Sequence, residues 1–458
     1  MKKYWTPLAW VGNRWIKNVL LTVDSTGRLH QVLGDQLCGG AHPLEGPVIP
    51  GMPNVHSHAF QWTFAGLSEF RTRQRDSFWS WREQMYRSVE QLTPEEYYHR
   101  ACELYRMMLA AGYTEVGEFH YIHNEPDGTR YPQLERLADQ LVQAAVDTGI
   151  AICMLPVLYQ RGGFDGRPLE GAQKRFELSF DELLSLSHRL QDKWGDQPLF
   201  QLGVAFHSLR AVDPKTIGPS VEAARAITGP CGPVHIHVAE QAGEVDQCQS
   251  QFGKRPVELL LDLADVDAGW CLIHATHMSE HEICRLAEID AVVGLCPTTE
   301  ANLGDGVFPA AEFLSAGGRI AMGSDSHVGL DPFAELRLVE YGQRLTTHHR
   351  AVLCDNDHSC GERLFRDALA GGAQAVGRSR VNGLEVGAPA NWVVLDPDHA
   401  TLSDCPAERI MDRLIFCQWG NAVLKTFVQG DLVFERHPLQ GSTQCPDDWR
   451  KLSKWAWG

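Results

Sequence analysis

Several things are missing from this 458-residue chain, and each absence excludes something. No run of about 18 apolar residues occurs, so no segment suits a membrane-spanning helix. Lys2 and Lys3 are not followed by an unbroken apolar stretch, because Asn13, Arg14 and Lys17 interrupt it, so a secretory leader is not expected. Basic residues are outnumbered: Lys plus Arg total 41 against 58 for Asp plus Glu, a formal net charge of −17. That sign repels a phosphate backbone and an anionic lipid surface, so neither nucleic acid nor membrane is an expected partner. The 13 cysteines include no Cys-x-x-Cys pair. They read as reduced thiols of a cytoplasmic protein, with Cys153, Cys271 and Cys296 packing as small apolar residues. There is no low-complexity tract and no repeat of fixed period.

What remains has a globular balance, with 44% hydrophobic and 22% charged residues. From residue 47 onward, short apolar runs alternate with longer amphipathic stretches. The runs cover residues 48–58, 113–121, 150–159, 201–208, 233–239, 270–276, 291–297 and 319–326. Eight strand-then-helix units predict an α/β fold, a TIM-like (β/α)8 barrel. Near-continuous apolar character suits parallel strands buried on both faces. No glycine-rich phosphate loop follows the first run, which favours the barrel over an open doubly wound sheet. One helix is sharply punctuated: Thr93-Pro94-Glu95-Glu96 supplies a cap, a proline and a capping-box glutamate, and Gly112 supplies the stop.

The ends differ from the middle. Residues 1–46 and 385–436 carry strand-like runs and turns, and together predict a small β-sandwich built from both termini. The barrel then spans residues 47–384, and a tail of residues 437–458 carries Trp449, Trp455 and Trp457. That tail is expected to pack on this chain or on a partner subunit.

The chemistry concentrates at the ends of the predicted strands. Asn54-Val55-His56-Ser57-His58 closes the first, and residues two apart in a strand share a face. Two imidazoles at a barrel mouth can chelate one metal ion. With 20 histidines in the chain, the spacing alone is a weak signal, and His235-Ile236-His237 repeats it. Placement adds more. His237 lies near the end of strand five, His274 near the end of strand six and Asp325 near the end of strand eight. A barrel builds its active site on that face. Three imidazoles and a carboxylate suit Zn²⁺, one per subunit, and would also accept Fe²⁺ or Mn²⁺. Glu240, three residues beyond His237, is a candidate proton shuttle. His235 reads as a core residue, and His277 and His327 as surface or supporting residues.

The set His56-x-His58, His237-x-x-Glu240, His274 and Asp325, with a terminal β-domain, resembles the amidohydrolase superfamily and its mononuclear deaminating branch. The resemblance implies that His56, His58, His237 and Asp325 hold the metal, while Glu240, His274 and Asp325 act on water and substrate. It implies a single metal, because no lysine stands at the ends of strands three or four.

Within that superfamily the chain is most similar to the formimidoylglutamate deiminases of histidine degradation. The likeness rests on residues 52–61 (MPNVHSHAFQ), 77–86 (SFWSWREQMY), 117–121 (GEFHY) and 205–210 (AFHSLR). It implies hydrolysis of N-formimino-L-glutamate to N-formyl-L-glutamate and ammonia, with Gln61, Arg82, Tyr121, His207 and Arg210 binding the glutamate portion. It also implies a homodimer. Arginine forks suit a dicarboxylate in a chain of charge −17. Trp79 and Trp81 are candidates to wall the pocket. The competing readings are a related deaminase or chlorohydrolase acting on a neutral heterocycle such as guanine, and a non-catalytic interaction protein on the same barrel.

Overall fold

The computed structural model describes residues 1–67, 69, 78–90, 92–378, 383–417 and 419–436, the side chains of residues 78–80 excepted. The Trp-rich tail and the side chain of Trp79 therefore lie outside the described residues.

Eight parallel strands, each hydrogen-bonded to the next, form the barrel wall: Met52–Ser57, Tyr113–His120, Ala151–Leu158, Val204–Ser208, Val234–Val238, Trp270–His274, Val292–Leu295 and Arg319–Met322. A short strand, Phe200–Leu202, adds to the third. The barrel strands are buried almost throughout, as their unbroken apolar character requires. The ring closes at its C-terminal rim. The amides of Ser324 and Asp325 donate to the carbonyl of His56 at 3.1 and 2.9 Å, and that of His58 donates to Asp325 at 3.3 Å. Beneath that seam, buried Asn54 donates to Ser324 Oγ at 2.6 Å and accepts the Ser324 amide at 3.0 Å. The closure thus joins the two segments that carry His56, His58 and Asp325.

Two predicted strands divide in the structure. The run 48–58 becomes Val48–Pro50, in the terminal sheet, and Met52–Ser57, in the barrel. Gly51 makes the break: a Cβ there would lie 2.1 Å from Thr114 Cγ2, so the chain passes where only glycine fits. The run 201–208 divides at Gly203, whose Cβ would lie 2.7 Å from Leu155 Cδ2. The first break lets one apolar run serve two sheets, whereas both pieces of the second pair with Ala151–Leu158.

Both termini join one mixed sheet of eight strands, ordered from Asp431–Glu435 through Val423–Val428, Trp392–Leu395, Val48–Pro50, Lys2–Val11 and Arg14–Val23 to Leu29–Leu33, with His42–Pro43 beside Lys2–Val11. It has its own apolar cluster, in which the Trp392 ring lies 5.2 Å from Tyr4 and 5.1 Å from Phe427. The helix Pro94–Ala111 carries the expected capping box of Thr93 with Glu96, and Gly112 ends it at φ +100°. Every described cysteine is free, and Cys153, Cys271 and Cys296 are buried in barrel strands or just beyond them. Among the described residues no helix is long and apolar enough to cross a membrane.

Candidate active site

Strand one ends with His56 and His58 on the same inward face, and their ring centroids lie 4.5 Å apart. His237, from strand five, brings its Nε2 to 3.0 Å from His56 Nε2. Asp325, just past strand eight, places Oδ1 at 3.2 Å from His58 Nε2 and 3.6 Å from His56 Nε2. Its backbone adopts φ +47°, so the carboxylate sits on a turn that the seam to strand one holds in place. All four residues are buried.

The donors face inward for a definite reason. His58 Nδ1 lies 3.0 Å from the Phe119 carbonyl, and His237 Nδ1 lies 2.8 Å from the His207 carbonyl. A carbonyl only accepts, so each Nδ1 carries the proton and each Nε2 presents a lone pair to the centre. Burial, reinforced by neighbouring imidazoles, holds His56 and His237 well below the usual histidine range, so both stay neutral. Burial works against ionised Asp325, yet the histidines around it, His58 first, outweigh burial and hold the carboxyl near 2. Unprotonated imidazole nitrogens converging with an ionised carboxylate are the donor set of a divalent cation. The residues therefore fit a metal, and His56, His58 and His237 offer donor atoms all within 4.8 Å of one another.

Two further groups face the same space. His274 Nε2 lies 3.9 Å from Asp325 Oδ2 and 4.0 Å from Glu240 Oε1. Burial opposes a charge on His274, but Glu240, Glu300 and Asp325 outweigh it and raise the imidazolium to about 10. Glu240 is buried, and burial raises its carboxyl, although His274 and Arg210 pull the other way. A carboxyl raised in this way can hold and return a proton. Its amide is fixed by Glu244 Oε2 at 3.1 Å.

The five residues predicted to bind substrate all line this cavity, together with His58, His237, Glu240, His274 and Asp325. Gln61 donates to the Tyr121 hydroxyl at 2.9 Å. His207 stacks edge-on to Tyr159 at 4.6 Å, and burial followed by Arg210 keeps its ring neutral. Arg210 is buried, with Nη2 at 4.0 Å from Glu240 Oε2. Arg82 comes from the helix Phe78–Val89 and lies over the Tyr86 ring at 5.5 Å. Trp81 also lines the cavity. Past Arg82 and Arg210 the cavity opens into an outer chamber of about 240 Å³, where Arg161 joins them. The chamber is therefore basic in a chain of charge −17.

Sequence reading did not single out Glu300, Asp305, Glu118 or Arg161. Glu300 Oε1 lies 3.2 Å from His274 Nδ1. Asp305 accepts from Gln241, and burial together with Glu240 raises its carboxyl to about 9. Glu118 accepts from Ser57 Oγ and the Ala59 amide, each at 2.7 Å, and so braces the chain on both sides of His58. None of these carries a spacing signal, since each contact joins distant parts of the chain. Two further histidines stand as expected: His235 is a core residue bonded to the Ala375 carbonyl at 2.8 Å, and His327 braces Ser324 at 2.9 Å.

The family model described as "Amidohydrolase family" matches residues 48–433. A formimidoylglutamate deiminase of Pseudomonas aeruginosa is 44% identical over 91% of this chain and 91% of its own length. A crystal structure of an amidohydrolase from Brucella melitensis superposes with a TM-score of 0.90 at 41% identity, covering 100% of this chain and 98% of that one. An E. coli guanine deaminase shares the fold, with a TM-score of 0.72 at 17% identity over 95% of this chain and 99% of its own.

Proposed function

This chain belongs to the amidohydrolase family, and from that membership we propose that it hydrolyses N-formimino-L-glutamate to N-formyl-L-glutamate and ammonia, a step of histidine degradation. One observation supports this most: Arg82 and Arg210 share a single cavity with the metal-fitting cluster. The 44% identical relative points the same way. The donor set favours one Zn²⁺ per subunit, with Fe²⁺ or Mn²⁺ also acceptable to it. The free thiols suit a reducing cytoplasm, and the family likeness favours a homodimer, which light scattering would test.

A divalent cation held by His56, His58, His237 and Asp325 supplies a Lewis acid that makes water nucleophilic near neutral pH. The chain's own residues do the rest. Arg82 and Arg210 hold the two carboxylates, and Gln61, Tyr121 and His207 line the stem between them and the reacting carbon. Asp325 and His274 orient the water toward the formimino carbon. As the new C–O bond forms, Glu240 gives its proton to the imine nitrogen. His274 Nε2 stabilises the oxygen of the tetrahedral carbon. Glu240 then receives the proton of the attacking water and returns it to the leaving nitrogen. The C–N bond breaks and ammonia departs, the remaining hydroxyl proton passes to Glu240 and restores its carboxyl, and the formyl group remains on glutamate.

A neutral heterocycle such as guanine is the rival substrate, but it has no use for two arginines. A non-catalytic barrel would have no need to keep a complete ligand set beside Glu240 and His274. The test is ammonia release from N-formimino-L-glutamate by the zinc-loaded protein, with the second product identified by mass. N-formyl-L-glutamate is expected. Glutamate plus formamide would mean cleavage of the other C–N bond, and no turnover would remove the glutamate reading.

A further inference from the structure

We infer that Glu300 is the positioning residue for His274: its carboxylate fixes the ring so that Nδ1 keeps the proton and Nε2 faces the reacting carbon. The inference deepens the proposed reaction and rests on it only for the kinetic part of its test.

His274 needs such an anchor. It is the last residue of strand six, and its backbone leaves the strand at φ +68°, followed by Ala275 at +48°. Residues persist in that region only where the surroundings over-determine them. The ring has two polar edges. Nε2 faces Glu240 at 4.0 Å and Asp325 at 3.9 Å, across the cavity where substrate would sit. Nδ1 faces away, 3.2 Å from Glu300 Oε1.

That oxygen is an acceptor by construction. Glu300 Oε1 also takes the Cys296 amide at 2.8 Å, and an N–H can only donate. Glu300 Oε1 thus accepts from both sides, and the shared proton belongs to His274 Nδ1. The support beneath is equally set. Glu300 lies on the helix Pro297–Leu303. The first turn of that helix is held by buried Glu335, which accepts the Thr298 amide at 2.9 Å and the Thr298 hydroxyl at 2.6 Å. Thr299 Oγ1 reaches the Ser324 carbonyl at 3.3 Å, so the helix is pinned to the segment that carries Asp325. Glu300 is buried within this frame. A histidine that meets a reacting atom on one edge and a fixed carboxylate on the other follows the general logic of oriented catalytic imidazoles.

Cys296 Sγ lies with His274 and Glu300 among ligand atoms within 4.8 Å of one another, so a second metal is the alternative use of the cluster. Metal content separates the two.

The test compares wild type with Glu300→Gln and Glu300→Ala, each loaded with zinc. Glu300→Gln keeps an acceptor oxygen, so kcat on N-formimino-L-glutamate should stay within about five-fold of wild type. Glu300→Ala should lose kcat by about 10- to 100-fold, the usual effect of removing such a partner, with KM within about three-fold. Bound zinc should remain at one per chain. An independent readout needs no substrate: in ¹⁵N spectra of histidine-labelled protein, assigned by comparison with His274→Gln, His274 should be protonated at Nδ1. The inference is overturned by Glu300→Ala retaining kcat within three-fold, by Glu300→Gln falling as far as Glu300→Ala, by a second equivalent of zinc lost in both variants, or by a bare His274 Nδ1 in wild type. Failure of wild type to turn over N-formimino-L-glutamate would instead fault the proposed substrate, and the ¹⁵N spectrum would still decide the role of Glu300.

Discussion

The floor of the cavity and its rim are built differently. The floor residues sit on strand ends or on the seam that closes the barrel, and His56, His58, His237 and Asp325 are all buried. Two of the three imidazoles are locked by main-chain carbonyls, which no side-chain substitution removes. The rim arginines Arg82, Arg161 and Arg210 ride on the helix Phe78–Val89 and on the loops after strands three and four, around an open chamber of about 240 Å³. The lesson is a division of support: hydrogen-bonded strand ends and the barrel seam hold the floor, whereas a helix and loops hold the rim arginines.

That division can be broken from the floor first. His237→Ala should abolish both metal retention and turnover, since it deletes a donor whose lone pair is aimed at the centre. Zinc measured by plasma mass spectrometry should fall well below one per chain. Glu240→Gln should separate the two properties, with full zinc and a loss of about 10²- to 10⁴-fold in kcat. Turnover near wild type in that variant would take Glu240 out of the proton path.

The rim should respond in another way. Arg82→Met and Arg210→Met should raise KM by about ten- to a hundred-fold, the worth of one charge-assisted hydrogen bond to a carboxylate, while zinc content stays constant. Effects confined to kcat would place these arginines in the chemistry instead of the grip. Arg161→Met, in the outer chamber, should raise KM only by a few-fold, and that increase should shrink with added salt.

The smallest effect concerns stability beneath the floor. Burial raises the Glu335 carboxyl from 4.5 to about 8, although its bonds to Thr298 oppose the shift. A folded pKa above the unfolded one means the folded state holds the proton more tightly. The corresponding stability is complete below the ordinary carboxyl range and is lost as pH rises through about 8. The melting temperature should therefore fall between pH 6 and pH 9, and Glu335→Gln should flatten that fall by roughly 2–4 °C. Parallel curves for the two proteins would place the titrating group elsewhere.

The floor was legible in the sequence because period-two strand geometry fixes which residues share a face. The spacing of His56 and His58 was a weak signal by itself, and gained weight from the places of His237, His274 and Asp325 at the ends of strands five, six and eight. The eight-strand rhythm was legible for the same reason. The divisions at Gly51 and Gly203 were not, because they depend on Thr114 and Leu155 crowding the backbone from other strands. Glu300 escaped notice because it stands 26 residues beyond His274 and meets it only through the folded helix Pro297–Leu303. The rim has no periodicity to read. Gln61, Arg82, Tyr121, His207 and Arg210 came from family likeness, and the structure brings all five to one cavity.

The most direct measurement sets N-formimino-L-glutamate against guanine in the same zinc-loaded preparation, by kcat/KM. A rim built for a dicarboxylate on a deaminating floor predicts that N-formimino-L-glutamate is preferred by at least about a thousand-fold. Equal or better turnover of guanine would contradict the assignment of the two arginines and leave only the floor standing.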